Sequence, residues 1–182
     1  MSQQQSLSLT TKSLHALVGS AMVGMVSLGI YMSQMEEYSL YGLHKSLGVI
    51  VFIAALTRLV WRMREGWPTP VGAAEKTQQM VARAIHYVLL ISTLLFPISG
   101  FMMSGAGGRG VYLFSFELFP KNIDAVTQKV APINESLAGL GHQMHGILTW
   151  IIVGALALHV LGALKHHFVD KDATLRRMFG KA

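Results

Sequence analysis

The sequence predicts an all-α integral membrane protein, a four-helix bundle with both termini in the cytoplasm. Three observations predict it. Of 182 residues, 52% are hydrophobic and only 13% are charged. Four segments are apolar enough to cross a bilayer, and the basic residues crowd onto one side of the topology those segments define. The charged share is about half that of an ordinary soluble domain, and the mean hydropathy is +0.44. A compact soluble chain of this length has too little interior to hide so much apolar surface. The length fits one domain, residues 1–182.

A transmembrane helix needs about 20 apolar residues, and in lipid the backbone must satisfy its own hydrogen bonds, so such segments are helices. Ser13 to Met35 carries no charged side chain and gives a first span at 13–35. It is expected to remain a span and not a cleaved signal peptide, because its apolar stretch is too long and no A-x-A site follows. Leu43 to Trp61 is apolar apart from Lys45 and Arg58 and gives a second span at 43–61. The uncharged stretch from Ala84 to Gly108 places a third span at about 82–104, with Pro97 inside it as an expected kink. The uncharged stretch from Ser136 to Leu164 places the fourth at about 142–165.

Four spans put both termini on one side, together with the linker 62–83 that contains Trp67-Pro68-Thr69-Pro70. That side holds Lys12, Arg58, Arg62, Arg64, Lys76, Arg83, Lys165, Lys171, Arg176, Arg177 and Lys181, eleven cations against the four acids Glu65, Glu75, Asp170 and Asp172, a net +7. The opposite side holds Lys45, Arg109, Lys121 and Lys129 against Glu36, Glu37, Glu117, Asp124 and Glu135, a net −1. The positive-inside rule places the first side in the cytoplasm. The overall charge of +6 is therefore a topology signal that also favours anionic lipid, not a nucleic-acid footprint. The longest outer loop, 104–140, is rich in glycine at first and in aromatics (Tyr112, Phe114, Phe116, Phe119) afterwards. Residues 166–182 form a cytoplasmic tail.

The chain has no cysteine. That excludes disulfides, thiolate-held iron–sulfur clusters and c-type haem attachment. Histidine is then the strongest metal ligand available, and intramembrane histidines invite a functional reading. Six fall into two layers by depth. His15, His86 and His159 lie near the inner face, and His44, His142 and His145 near the outer face. His145 and His159 are 14 residues apart, which is about 21 Å of helical rise with the two side chains within about 40° of one face. Two ligands on one face at two depths suit two cofactors stacked across the membrane, close enough for electrons to tunnel between them. Depth pairs His15 with His159 and His44 with His145. Each pair is a bis-imidazole set with no open iron position, which favours electron transfer over oxygen binding.

Neighbouring residues fit that reading. Gly19 follows His15 by four residues, Gly48 follows His44 by four, Gly162 follows His159 by three, and Gly146 adjoins His145. Glycine on the same helix face leaves room for a porphyrin edge, or alternatively serves close helix packing. Arg58 lies 14 residues after His44 and either pairs with the propionates of the inner haem or snorkels to the inner head groups. His142 is an alternative to His145 as ligand. His86 has no assigned iron. It either bonds a propionate, exchanges protons with a quinone, or is a hydrated interfacial residue. His166 and His167 read as surface residues.

The pattern Leu43-His44-Lys45-Ser46-Leu47-Gly48, the run Arg58-Leu59-Val60-Trp61-Arg62, the His145 to His159 interval, and the tail Lys165-His166-His167-Phe168-Val169-Asp170-Lys171-Asp172 with Thr174-Leu175 and Arg176-Arg177-Met178 resemble the bacterial cytochrome b561 group over nearly the whole chain. The resemblance implies a four-helix inner-membrane cytochrome with two haems b. It implies His15 and His159 as inner ligands and His44 and His145 as outer ligands, and it sets His86, His166 and His167 near the place where the group engages quinone. His86 and His166 are thereby candidates for quinone binding or proton transfer, with ubiquinone as acceptor. One member type of that group is a superoxide oxidase, which passes an electron from external superoxide to ubiquinone. The net −1 of the outer face offers an anion no overall attraction; Lys45, Arg109, Lys121 and Lys129 make a basic patch only if the fold gathers them.

Two further functions compete. A haem-bearing anchor subunit shuttles electrons for a periplasmic or membrane redox partner docked on the aromatic outer loop. A His-lined transporter for zinc or a similar ion uses imidazole ligands but normally also places carboxylates in the membrane, and here all nine acids read as loop or tail residues.

Overall fold

The computed structural model describes residues 7–69, 71 and 75–180; Pro70 of the inner linker and Lys181 of the tail lie outside them. Helix α1 spans Leu9–Gln34, α2 spans Tyr41–Glu65 after a short 3-10 turn at Tyr38–Leu40, α3 spans Lys76–Phe101 and α4 spans Glu135–Phe168. All four are long and apolar enough to cross a membrane. Helix α4 has a mean hydropathy of 2.3 over its most apolar stretch, yet only 17% of that stretch is buried within the protein. Trp150 (71% exposed), Ile147 and Leu161 (61% each) stand outside the bundle. In water such a surface drives association; in a bilayer it is the lipid face. The chain is a multi-pass membrane protein.

The helices outlast the apolar segments read from the sequence, because helical hydrogen bonding continues into the interface where polar side chains take over the capping. Helix α1 starts where the Ser8 hydroxyl accepts from Thr11 N–H at 3.1 Å, and α2 stops at Gly66, whose φ of 76° suits glycine. Helix α4 starts at Glu135 because Asn134 accepts from Leu137 N–H at 2.9 Å. That start lies well inside the 104–140 stretch expected to be loop. Two acids assigned to loops, Glu65 and Glu135, are likewise helix-end residues. Glu65 ties α2 to α1: its carboxylate accepts from the Thr11 hydroxyl and from Trp61 Nε1 at 3.2 Å.

Helix α3 contains Pro97 and passes after Phe101 into a π turn, Met102–Ala106. The loop beyond carries a feature the sequence reading lacked, an antiparallel hairpin of β1 (Arg109–Leu113) and β2 (Phe116–Lys121) with a register shift between Val111 and Tyr112. Gly108 (φ 71°) turns the chain into β1, and a Cβ there would lie 2.0 Å from Ala131 O. A short helix, α5 (Thr174–Met178), closes the chain's described part.

Val18, Met22, Val26, Val51 and Ile152 form the bundle core. The buried hydroxyls among them need partners in a dry interior, and they find carbonyls one turn back: Ser46 on Gly42 (2.9 Å), Thr93 on Leu90 (2.8 Å) and Ser99 on Phe96 (2.7 Å).

Candidate haem sites

Two groups of imidazoles sit at two depths, one on the side of the hairpin and one on the side of the chain termini. On the hairpin side, His44 from α2 and His145 from α4 have ring centres 6.3 Å apart at an interplanar angle of 72°. Phe96 of α3 stands edge-on to His145 at 4.6 Å, and Ser99 Oγ is 2.9 Å from His145 Nδ1. An open-sided cavity with about 660 Å³ of empty space, counting its mouth, lies between α1, α2 and α3. Met22, Gly48, Phe96 and Phe101 are among its walls, with both imidazoles and Val111 of the hairpin. The hairpin is pinned over this end. Lys45 Nζ donates to Gly110 O (3.1 Å), and the buried Ser46 hydroxyl accepts from Phe114 N–H (2.8 Å).

On the termini side, the rings of His15 (α1) and His159 (α4) are 5.9 Å apart. His86 of α3 is closer still to His159, at 5.0 Å. Its Nδ1–H donates to Ala82 O at 2.6 Å, so its Nε2 is left as an acceptor. Arg58 does lie one layer below His44, but its Nη2 sits 3.1 Å from His15 Nδ1. Trp67 of the linker covers His86 at 6.5 Å.

The remaining candidates lie elsewhere. His142 is exposed, with Nδ1 at 3.4 Å from Met103 Sδ. His166 is paired with Asp172 (2.6 Å) and Asp170 (3.3 Å) on the tail. Burial pushes the Asp172 carboxyl up, but the Thr174 and His166 hydrogen bonds outweigh it and hold that carboxyl below its ordinary range. His167 is exposed and packs on Phe168.

The paired rings fit a six-coordinate haem iron. Bonds of about 2 Å to each nitrogen, plus roughly 1 Å to each ring centre, set bis-imidazole centres about 6 Å apart, as both pairs have. His44 Nδ1 is buried with no hydrogen-bond partner among the described residues, an unsatisfied atom of the kind that marks a site awaiting another group. The glycines flagged by spacing leave space. A Cβ on Gly19, Gly146 or Gly162 would meet nothing within 4 Å, and one on Gly48 would meet only Met25 at 3.9 Å.

Sequence reasoning missed the glycines on facing helices. A Cβ on Gly29 would lie 3.4 Å from His44 Cε1, and one on Gly100 3.6 Å from His145 Cε1. Gly141 is tighter: a Cβ there would lie 2.6 Å from Met103 N and 2.9 Å from Ser99 O. It brings α4 against the end of α3 one turn before His145. The G-x-x-x-H spacing of Gly141 and His145 was visible, but nothing in it named the facing backbone.

Four apolar helices enclosing paired imidazoles at two depths define a membrane protein of the cytochrome class. The chain belongs to the prokaryotic cytochrome b561 family, whose model matches residues 6–181. It is 32% identical over 174 residues to cytochrome b561 homolog 2 of Escherichia coli K12, covering 92% of this chain and 88% of that protein. It is 28% identical to cytochrome b561 homolog 1 of the same organism, covering 74% and 72%. It is also 27% identical to the probable superoxide oxidase CybB of Yersinia pestis, over 76% of this chain and 74% of that protein. The family carries b-type haem and transfers electrons in membranes.

Proposed function

We propose that this chain is a di-haem cytochrome of the bacterial inner membrane that moves electrons between a donor on the hairpin side and the ubiquinone pool, with both termini cytoplasmic. The observation that carries the reading is the pair of imidazole couples, 6.3 Å and 5.9 Å between ring centres, spaced along α4 by about 21 Å of rise. His44 and His145 would hold one haem, and His15 and His159 the other. Haem, when bound, would supply a one-electron couple. Gly19, Gly48 and Gly162, where an added Cβ would meet nothing closer than 3.9 Å, would leave room for its edges. Arg58 brings a fixed cation to the termini-side layer, suited to a propionate. The bundle half-buries the rings and presents an apolar outer surface along its spans. His86, whose Nδ1–H is taken by Ala82 O, and His166 would exchange protons with a quinone on the termini side.

Superoxide as donor draws support from charge. Although the hairpin side is net −1 by sequence, Arg109 and Lys121 face each other across the hairpin, and Lys45 is bonded to the neighbouring Gly110. Lys45 is among the residues lining the hairpin-side cavity and reaches the strand end where Arg109 and Lys121 pair, so the three cations would together attract a small anion. The purified protein should contain two haems per chain by pyridine haemochrome assay, and superoxide should reduce them at a rate that falls with ionic strength. A haem-free preparation, or a rate indifferent to salt, ends the respective part of the reading.

A haem-bearing anchor subunit is the second reading, favoured by the exposed hairpin aromatics Phe114 (60%), Phe116 (67%) and Phe119 (56%). Its mark would be electron input only when a partner oxidoreductase copurifies. Full-rate quinone reduction by the isolated chain argues against it.

A further inference from the structure

We propose that Ser99 is a positioning residue for the hairpin-side haem: its hydroxyl oxygen takes the Nδ1 proton of His145 and thereby keeps Nε2 as the bare nitrogen. The inference rests on His145 being a haem ligand and goes beyond it by assigning the group that prepares that ligand.

The argument is a count of protons. Ser99 is fully buried, and its hydroxyl carries one proton. Its oxygen lies 2.7 Å from Phe96 O, a carbonyl that only accepts, so the proton is committed there. The same oxygen lies 2.9 Å from His145 Nδ1 and has only lone pairs left to offer. His145 must therefore donate through Nδ1. A neutral imidazole has one N–H, so Nε2 is unprotonated, the state a metal ligand requires.

The same turn of α3 completes the arrangement. Phe96 holds the ring edge-on at 4.6 Å. Gly100 leaves room for Cε1. The backbone oxygen of Ser99 is one of the atoms against which Gly141 packs, so α4 approaches α3 closely one turn before the ring. Among the described residues, none of the other three paired imidazoles has such an acceptor. His44 Nδ1 has no partner among the described residues, His15 Nδ1 faces a guanidinium, and among the described residues His159 meets ring edges and no hydrogen-bonding side chain.

An acceptor on Nδ1 makes the imidazole a stronger electron donor and stabilises ferric over ferrous iron. In Ser99→Ala, the midpoint potential of the hairpin-side haem should rise while that of the termini-side haem stays put. The rise is about 59 mV for each tenfold by which ferric binding weakens more than ferrous. Haem affinity at that site alone should fall about 10- to 100-fold, and its low-spin electron paramagnetic resonance signal should shift. Ser99→Thr, which keeps the hydroxyl, should restore all three. If Ser99→Ala does not assemble, Ser99→Cys, with a poor acceptor of similar size, takes its place with the same expected shift. Unchanged potentials and signals, or equal shifts in both haems, would overturn the assignment. His145→Ala run alongside separates the two readings: loss of one haem there, with Ser99→Ala unaltered, removes only the role of Ser99, whereas retention of both haems removes His145 as ligand.

Discussion

At the hairpin side, the protein holds His145 by a serine acceptor, an edge-on phenylalanine and a glycine crossing, and a hairpin pinned through Lys45 and Ser46 covers the end. At the termini side, His15 meets a cation, a third imidazole stands within 5.0 Å of His159, and the cover is one tryptophan of the linker. The tautomers differ accordingly. A guanidinium only donates, so His15 Nδ1 accepts and its proton sits on Nε2, the opposite of His145. Were iron held through Nε2 of His15, Nδ1 would carry the proton and Arg58 would pair with another acceptor, such as a propionate. The hairpin-side ring is therefore met by an acceptor and the termini-side ring by a donor. That difference suits the proposed division of labour, since a layer beside a quinone would gain from a cation and a spare proton acceptor in His86.

The largest effects come from removing the rings. His44→Ala and His145→Ala should each lower the haem content from two to one per chain, and His15→Ala and His159→Ala should do the same at the other layer. Retention of both haems in His145→Ala would pass the ligand role to His142. The pairs are distinguished by which midpoint potential disappears from a redox titration.

Gly141→Ala comes next. Its Cβ would enter within 3 Å of Met103 N, Met102 Cβ and Ser99 O, and overpacking of this kind costs about 1–3 kcal/mol. A lower Tm in detergent and weakened haem binding at the hairpin side alone are expected. Gly139→Ala, where a Cβ meets nothing within 4 Å, should leave both unchanged. Equal behaviour of the two variants would remove the glycine crossing from the comparison.

Arg58→Leu takes a positive charge from the termini-side layer. Positive charge favours the reduced iron, so that haem's potential should fall by a few tens of millivolts, in line with about 59 mV per tenfold, with the hairpin-side haem unmoved. Arg58→Lys should recover part of the shift. No shift would return Arg58 to a snorkelling role.

The smallest effect concerns the tail beside the termini-side layer. Asp172 has a carboxyl held below its ordinary range. Its contribution is therefore present above the unfolded-state value and is lost as pH falls through the lower folded-state value. Hydrogen exchange around Thr174 and Arg177 should stay slow at neutral pH and quicken only under acid conditions below the usual carboxylate range. Asp172→Asn should quicken it at neutral pH, by an amount corresponding to less than about 1 kcal/mol.

Much of this was legible in the sequence, and the legible part has one character. The four helices follow from what lipid demands of a backbone, and the stacking of His145 above His159 follows from a rise and a turn per residue that do not depend on neighbours. Depth alone brought His15 to the level of His159 and His44 to that of His145. The hairpin in the outer loop was not legible, because its strands are five and six residues long and the glycine and aromatic content gave no clean alternation. Gly100, Gly141 and Ser99 were not singled out either. Each lies in an apolar helix where small residues are common, and its meaning depends on the atom opposite.

The amino-acid sequence by itself therefore determined the span count, the charge asymmetry and the two depths of histidine, all consequences of hydropathy and helical period within single segments. Only the tertiary structure decided which backbone Gly141 touches, which atom Ser99 offers to His145, that Arg58 leans on His15, and that Lys45 reaches the hairpin beside the Arg109 and Lys121 pair. Those contacts join helices and loops far apart in the chain, and their distances are set by how closely the helices pack.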